Sequence, residues 1–96
     1  MEIEMVVLSN FQALDKVAAF LEGSGPEPEL TSVEDCPMTE WLKDNPRPEL
    51  DEPHEGFHRV LIEAVEKKKQ GLIDEANALL DQGFLLYSQL ERAIFE

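Results

Sequence analysis

At 96 residues the chain has room for one small domain with a modest core, and its 43% apolar content sets it apart from compositionally disordered sequences. Its 8 basic residues against 21 acidic ones give a net charge of −13, which argues against nucleic acid or an anionic membrane as partner, since both are polyanions. No apolar run approaches the roughly 18 residues of a membrane span, and the acidic start Met1-Glu2-Ile3-Glu4 lacks the basic character of a signal peptide, so no membrane insertion and a cytoplasmic location are expected. A single cysteine excludes an internal disulfide and leaves Cys36 as a core residue, a ligand or a redox-reactive thiol.

In chain order, Val7, Asn10, Leu14, Val17 and Leu21 fall at intervals of three and four, a helical seam with one polar member over about residues 3–21. Val6, Leu8 and Phe11 make the start of this helix apolar on most of its surface, which predicts that it is largely buried. Gly23-Ser24-Gly25-Pro26 ends it, and a loop runs through residues 23–30. Thr31 with Glu34, and Ser32 with Asp35, have capping-box spacing, predicting a short turn or helix there. Pro37 suits a first helical position, so a second short helix follows to about Asp44, with Asp35 or Cys36 at its cap and Met38, Trp41 and Leu42 on its apolar face. At such an N-terminus the helix dipole favours a Cys36 thiolate.

Two prolines keep residues 45–52 extended, and Asp51, Glu52 and Pro53 are read as the opening of the next long helix. That helix carries both histidines of the chain, His54 and His58, four residues apart on one face, and Leu61 and Val65 continue the same seam. The imidazoles are therefore expected to point inward, where each ring nitrogen needs a partner, because an unpaired buried polar group costs about 1–3 kcal/mol. Lys67, Lys68 and Lys69 gather at the far end, with Glu63 to Lys67 as an i,i+4 pair. Gly71 marks a tight turn. Beyond it Ala76, Leu79, Gly83, Leu86, Leu90 and Ala93, with Leu72, Leu80 and Ile94, describe a last amphipathic helix folded back as an antiparallel hairpin. The expectation is an all-α fold: one domain over residues 1–96, a small up-and-down helical bundle of three long helices and one or two short ones.

Cys36, His54 and His58 can all be placed inward at one end of such a bundle. Thiolate and imidazole are the ligands zinc prefers, and bundle metal sites are built from side chains on facing helices. The alternative from spacing alone is a partly exposed pair of histidines at a helix start and an inert buried cysteine. Trp41 is expected as a core or half-buried anchor, and the run Phe84-Leu85-Leu86-Tyr87 covers more of its helix than one core face needs, which suggests a dimer contact on its outer side.

Residues 36–94 resemble the second half of the chemoreceptor zinc-binding domain. The residues that carry the likeness are Cys36-Pro37-Met38-Thr39-Glu40-Trp41, Pro53-His54-Glu55-Gly56-Phe57-His58, Gly71, and Glu75-Ala76-Asn77-Ala78-Leu79-Leu80. The family pattern is Cys-x-aliphatic-Gly-x-aromatic, then Pro-His-x-x-x-His, a glycine turn, and Glu-Ala-x-x-Leu-Leu. The resemblance implies a helical bundle that binds Zn²⁺ through three histidines and a cysteine, serves cytoplasmic sensing in chemoreceptors and diguanylate cyclases, and is commonly a homodimer. Thr39 stands where that family has glycine, the segment between Trp41 and His54 is shorter, and the first-helix histidine is missing, its place falling at Asn10 or Phe11. Asp35, Glu4, water or a second chain are candidates for the fourth ligand. The expected function is a zinc- or redox-responsive sensory domain acting through a protein partner of a signalling pathway or a homodimer. The alternative is a metal-free helical adaptor. No nucleophile and base pair suggests an enzyme.

Overall fold

The computed structural model describes residues 3–30 and 36–95, and the capping signals at residues 31–35 lie outside that range. Four helices follow in order: α1 (Ile3–Glu22), α2 (Pro37–Asp44), α3 (Pro48–Lys69) and α4 (Ile73–Phe95). No strand occurs among the described residues. The all-α bundle expected from helical periodicity is what forms, as a rod of 40 × 20 × 19 Å, about one long helix in length.

The α3–α4 hairpin is the largest pairing, α1 lies against both, and α2 packs on α1. Gly71 makes the hairpin turn with φ of +83°, a left-handed conformation that only glycine adopts cheaply. Phe11 of α1 meets Tyr87 of α4, and Leu14 lies beside Gly83, so α1 and α4 are antiparallel. It follows that α1 and α3 share a direction. The connection carrying α2 makes the return: Glu27 pairs with Lys69 at the end of α3, whereas Cys36 is beside His54 near its start.

The seam read from α1 is the face it buries, with Val6 joining Val7, Asn10, Leu14, Val17 and Leu21. The expectation that the start of α1 is covered on most sides is overturned: Met5, Leu8 and Phe11 are 62%, 48% and 44% exposed. Among the described residues, three long helices and one short one leave one flank of α1 uncovered.

The start of α3 also differs from expectation. The helix begins at Pro48, not at residues 51–53, so the loop expected over 45–52 shortens to the link between α2 and α3. Pro48 occupies the first turn, where its missing N–H is no loss, and Leu50 goes fully into the core. Arg47 ties the start down by donating to the Ala93 carbonyl of α4 at 2.6 Å and to Glu49 at 2.6 Å. Pro53 then sits inside the helix and cannot donate to the Glu49 carbonyl, a tolerable gap because Glu49 is exposed to water. Two smaller expectations shift as well: Lys67 reaches Glu75 across the hairpin at 3.5 Å, and Leu72 precedes α4 and is 42% exposed instead of widening its buried stripe. No helix among the described residues is long and apolar enough to cross a membrane.

Candidate metal centre

Three elements converge on the inward face near the start of α3. His54 and His58 lie one turn apart on that helix, 2% and 9% exposed, as their place on the Leu61–Val65 seam requires. Cys36, 2% exposed, is the N-cap of α2, with Pro37 fixing the first helical position after it. From α1 comes Asn10, 1% exposed.

These side chains form one connected set. His58 Nε2 lies 3.1 Å from His54 Nε2, so one ring donates its hydrogen and the other accepts. His54 Nε2 is 3.4 Å from Cys36 Sγ, and the thiol in turn donates to Asn10 Oδ1 at 3.7 Å. The Asn10 amide nitrogen donates to the Val6 carbonyl at 3.3 Å and approaches Met38 Sδ at 3.8 Å. The edge of the His58 ring stands at 89° to Phe57, an apolar wall on the α3 side.

Burial dominates the protonation of the set. It lowers the His54 pKa to about 4, with a positive His58 adding repulsion, so His54 is neutral near pH 7. The sequence expectation of a thiolate at Cys36 is reversed for the same reason. The backbone N–H groups of Met38 and Thr39 do face the sulfur and lower its pKa, as a helix N-terminus should, but desolvation is larger and the net shift is upward. Without metal, then, Cys36 is a thiol and His54 a neutral imidazole.

One ligand atom each from Cys36, His54 and His58 lie within 4.8 Å of one another, close enough to hold a single metal ion. Tetrahedral zinc bonds of roughly 2.0–2.1 Å to nitrogen and 2.3 Å to sulfur require N···N near 3.3 Å and S···N near 3.6 Å. The His54–His58 and His54–Cys36 edges of 3.1 and 3.4 Å are within about 0.2 Å of that geometry, whereas the His58–Cys36 edge, bounded by 4.8 Å, has to draw in around an ion. Glu4 is exposed on α1 and does not join the cluster, and Asp35 lies outside the described residues. Asn10 touches the cluster through its Cys36 corner.

A surface cleft of about 400 Å³, lined by Thr39, Leu42, Lys43, Asp51, His54 and Glu55, opens beside the centre. Sequence reading missed it because it depends on how α2 lies over the start of α3; the signal available was that Asp51 and Glu55 flank His54 at helical spacing. Met38 was read only as core, and its contact with Asn10 depends on the same packing.

Comparison with protein-family models, curated proteins and solved structures finds no match to this chain. The reading of the centre therefore rests on its geometry and donor set.

Proposed function

We propose that this chain is a zinc- or redox-responsive regulatory domain of the chemoreceptor zinc-binding type, acting through a protein partner or a second copy of itself. The observation that carries the reading is the buried cluster of Cys36, His54 and His58, drawn from two separate segments. A metal bound there ties the N-terminus of α2 to α3, and its loss releases α2, the element with the smallest core contribution. The thiolate that ligates zinc is also an oxidisable group, so an oxidant acting on Cys36 would release the metal and give the same mechanical output. Phe84 and Leu85, 42% and 61% exposed on α4, supply apolar surface for a partner, while Leu86 and Tyr87 of the same run pack against the core.

A metal-free helical adaptor is the second reading, and one observation favours it. Asn10, Cys36, His54 and His58 already satisfy one another, and no buried side-chain nitrogen or oxygen among the described residues lacks a partner. Metal is thus not needed to complete the fold. Elemental analysis of protein purified without a metal-affinity tag separates the two. Zinc near one per chain, lost in His58→Ala and in Cys36→Ala, supports the sensor; absence of zinc, with melting unchanged by chelator, supports the adaptor.

A further inference from the structure

The donor set and its burial bear on which ion the centre prefers, an inference that rests on the metal-binding reading above. Structural zinc takes four strong ligands, but the described cluster supplies three, and its fourth neighbour is the neutral carboxamide oxygen of Asn10. On the other side of that carboxamide stands a thioether: Met38 Sδ is 3.8 Å from Asn10 Nδ2, and Met38 is 1% exposed. Charge points the same way. One thiolate and two neutral imidazoles leave Zn²⁺ with a net charge of +1 in a buried pocket, and the nearby carboxylates of Asp51 and Glu55 are out in solvent. A monovalent ion with the same ligands is neutral. Monovalent copper is soft, favours thiolate, imidazole and thioether, and is satisfied by two or three ligands.

We propose that the Cys36–His54–His58 cluster is a monovalent-copper site, in which Cu⁺ takes the place of Zn²⁺ on a Cys36 thiolate whose proton went to solvent when the first metal bound, with Cys36, His54 and His58 as its three ligands. A fourth strong ligand, which the described residues do not supply, is then not required by the preferred ion.

The test is an oxygen-free titration of zinc-loaded protein with Cu⁺ delivered from a competing chelator, with both metals counted and X-ray absorption used for the copper ligands. One Cu⁺ per chain bound by one sulfur and two nitrogens, with zinc released in step, is expected. Asn10→His, which adds a fourth strong ligand, should tighten zinc by about tenfold or more and copper by a smaller factor. Zinc retained against equimolar Cu⁺, or copper bound equally well by Cys36→Ser whose helicity matches the parent, overturns the proposal while leaving the zinc reading intact. If neither ion binds, both fall.

Discussion

Asn10 Oδ1 accepts the Cys36 thiol hydrogen across 3.7 Å, joining the first helix to the cap of the second through two buried side chains. The thiol is a weak donor, and the Val6 carbonyl that Asn10 also touches belongs to the backbone ladder of α1, so what Asn10 contributes to stability is mostly volume. Asn10→Ala should therefore cost about 1–3 kcal/mol through the cavity it leaves. Asn10→Leu, apolar and similar in size, should stay within about 1 kcal/mol of the parent. Urea unfolding in the presence of chelator measures both; equal losses in the two variants would show that the polar contacts dominate.

The buried His54 makes metal-free stability depend on pH. Its folded pKa of about 4 lies below the ordinary 6.5, so the unfolded chain binds more protons between those values. Stability is then complete above pH 6.5 and declines as pH falls toward 4, by up to about 3 kcal/mol. Chelated protein unfolded in urea at pH 7, 5.5 and 4.5 should show that fall, and His54→Gln should flatten the part of it between 6.5 and 4.

Two helical glycines should respond in opposite directions to the same change. A Cβ at Gly83 would come within 3.1 Å of Leu61 on α3 and 3.3 Å of Leu14 on α1. At Gly56 it would meet only Leu86 at 3.6 Å and the end of Arg59 at 3.8 Å, ordinary contacts. Gly56→Ala should stabilise by about 0.5–1 kcal/mol through helix propensity. Gly83→Ala gains the same propensity but crowds two core leucines, and a net loss of about 1 kcal/mol is expected. Thermal melts of the two variants side by side provide the check.

Metal binding to the folded state alone should raise its melting temperature. At a free zinc concentration about 100 times the Kd the gain is about 2.7 kcal/mol, which for a domain of this size is roughly 10 °C or more. The shift should vanish in His58→Ala and weaken as pH falls, because the thiol must lose its proton to ligate. Differential scanning calorimetry with and without zinc reads it directly; an equal shift in His58→Ala would place the metal elsewhere.

The sequence by itself determined the helices, the glycine turn at residue 71 and the buried face of α1, because each follows from periodicity or backbone freedom within a few residues. It also singled out Cys36, His54, His58 and Asn10, since one thiol, an i,i+4 imidazole pair and one polar residue in an apolar seam are all visible along the chain. Tertiary structure alone decided how these groups meet. The Pro48 start of α3 was hidden because the two prolines read as a loop, and it took the Arg47 contact with Ala93 and the burial of Leu50 to carry the helix back that far. The thiol form of Cys36 was hidden too: cap position is local, but desolvation depends on everything that packs around the sulfur, and here it outweighs the helix end. Finally, the exposed flank of α1 follows from the number of helices available to cover it, a property of the assembled bundle and not of any one stretch.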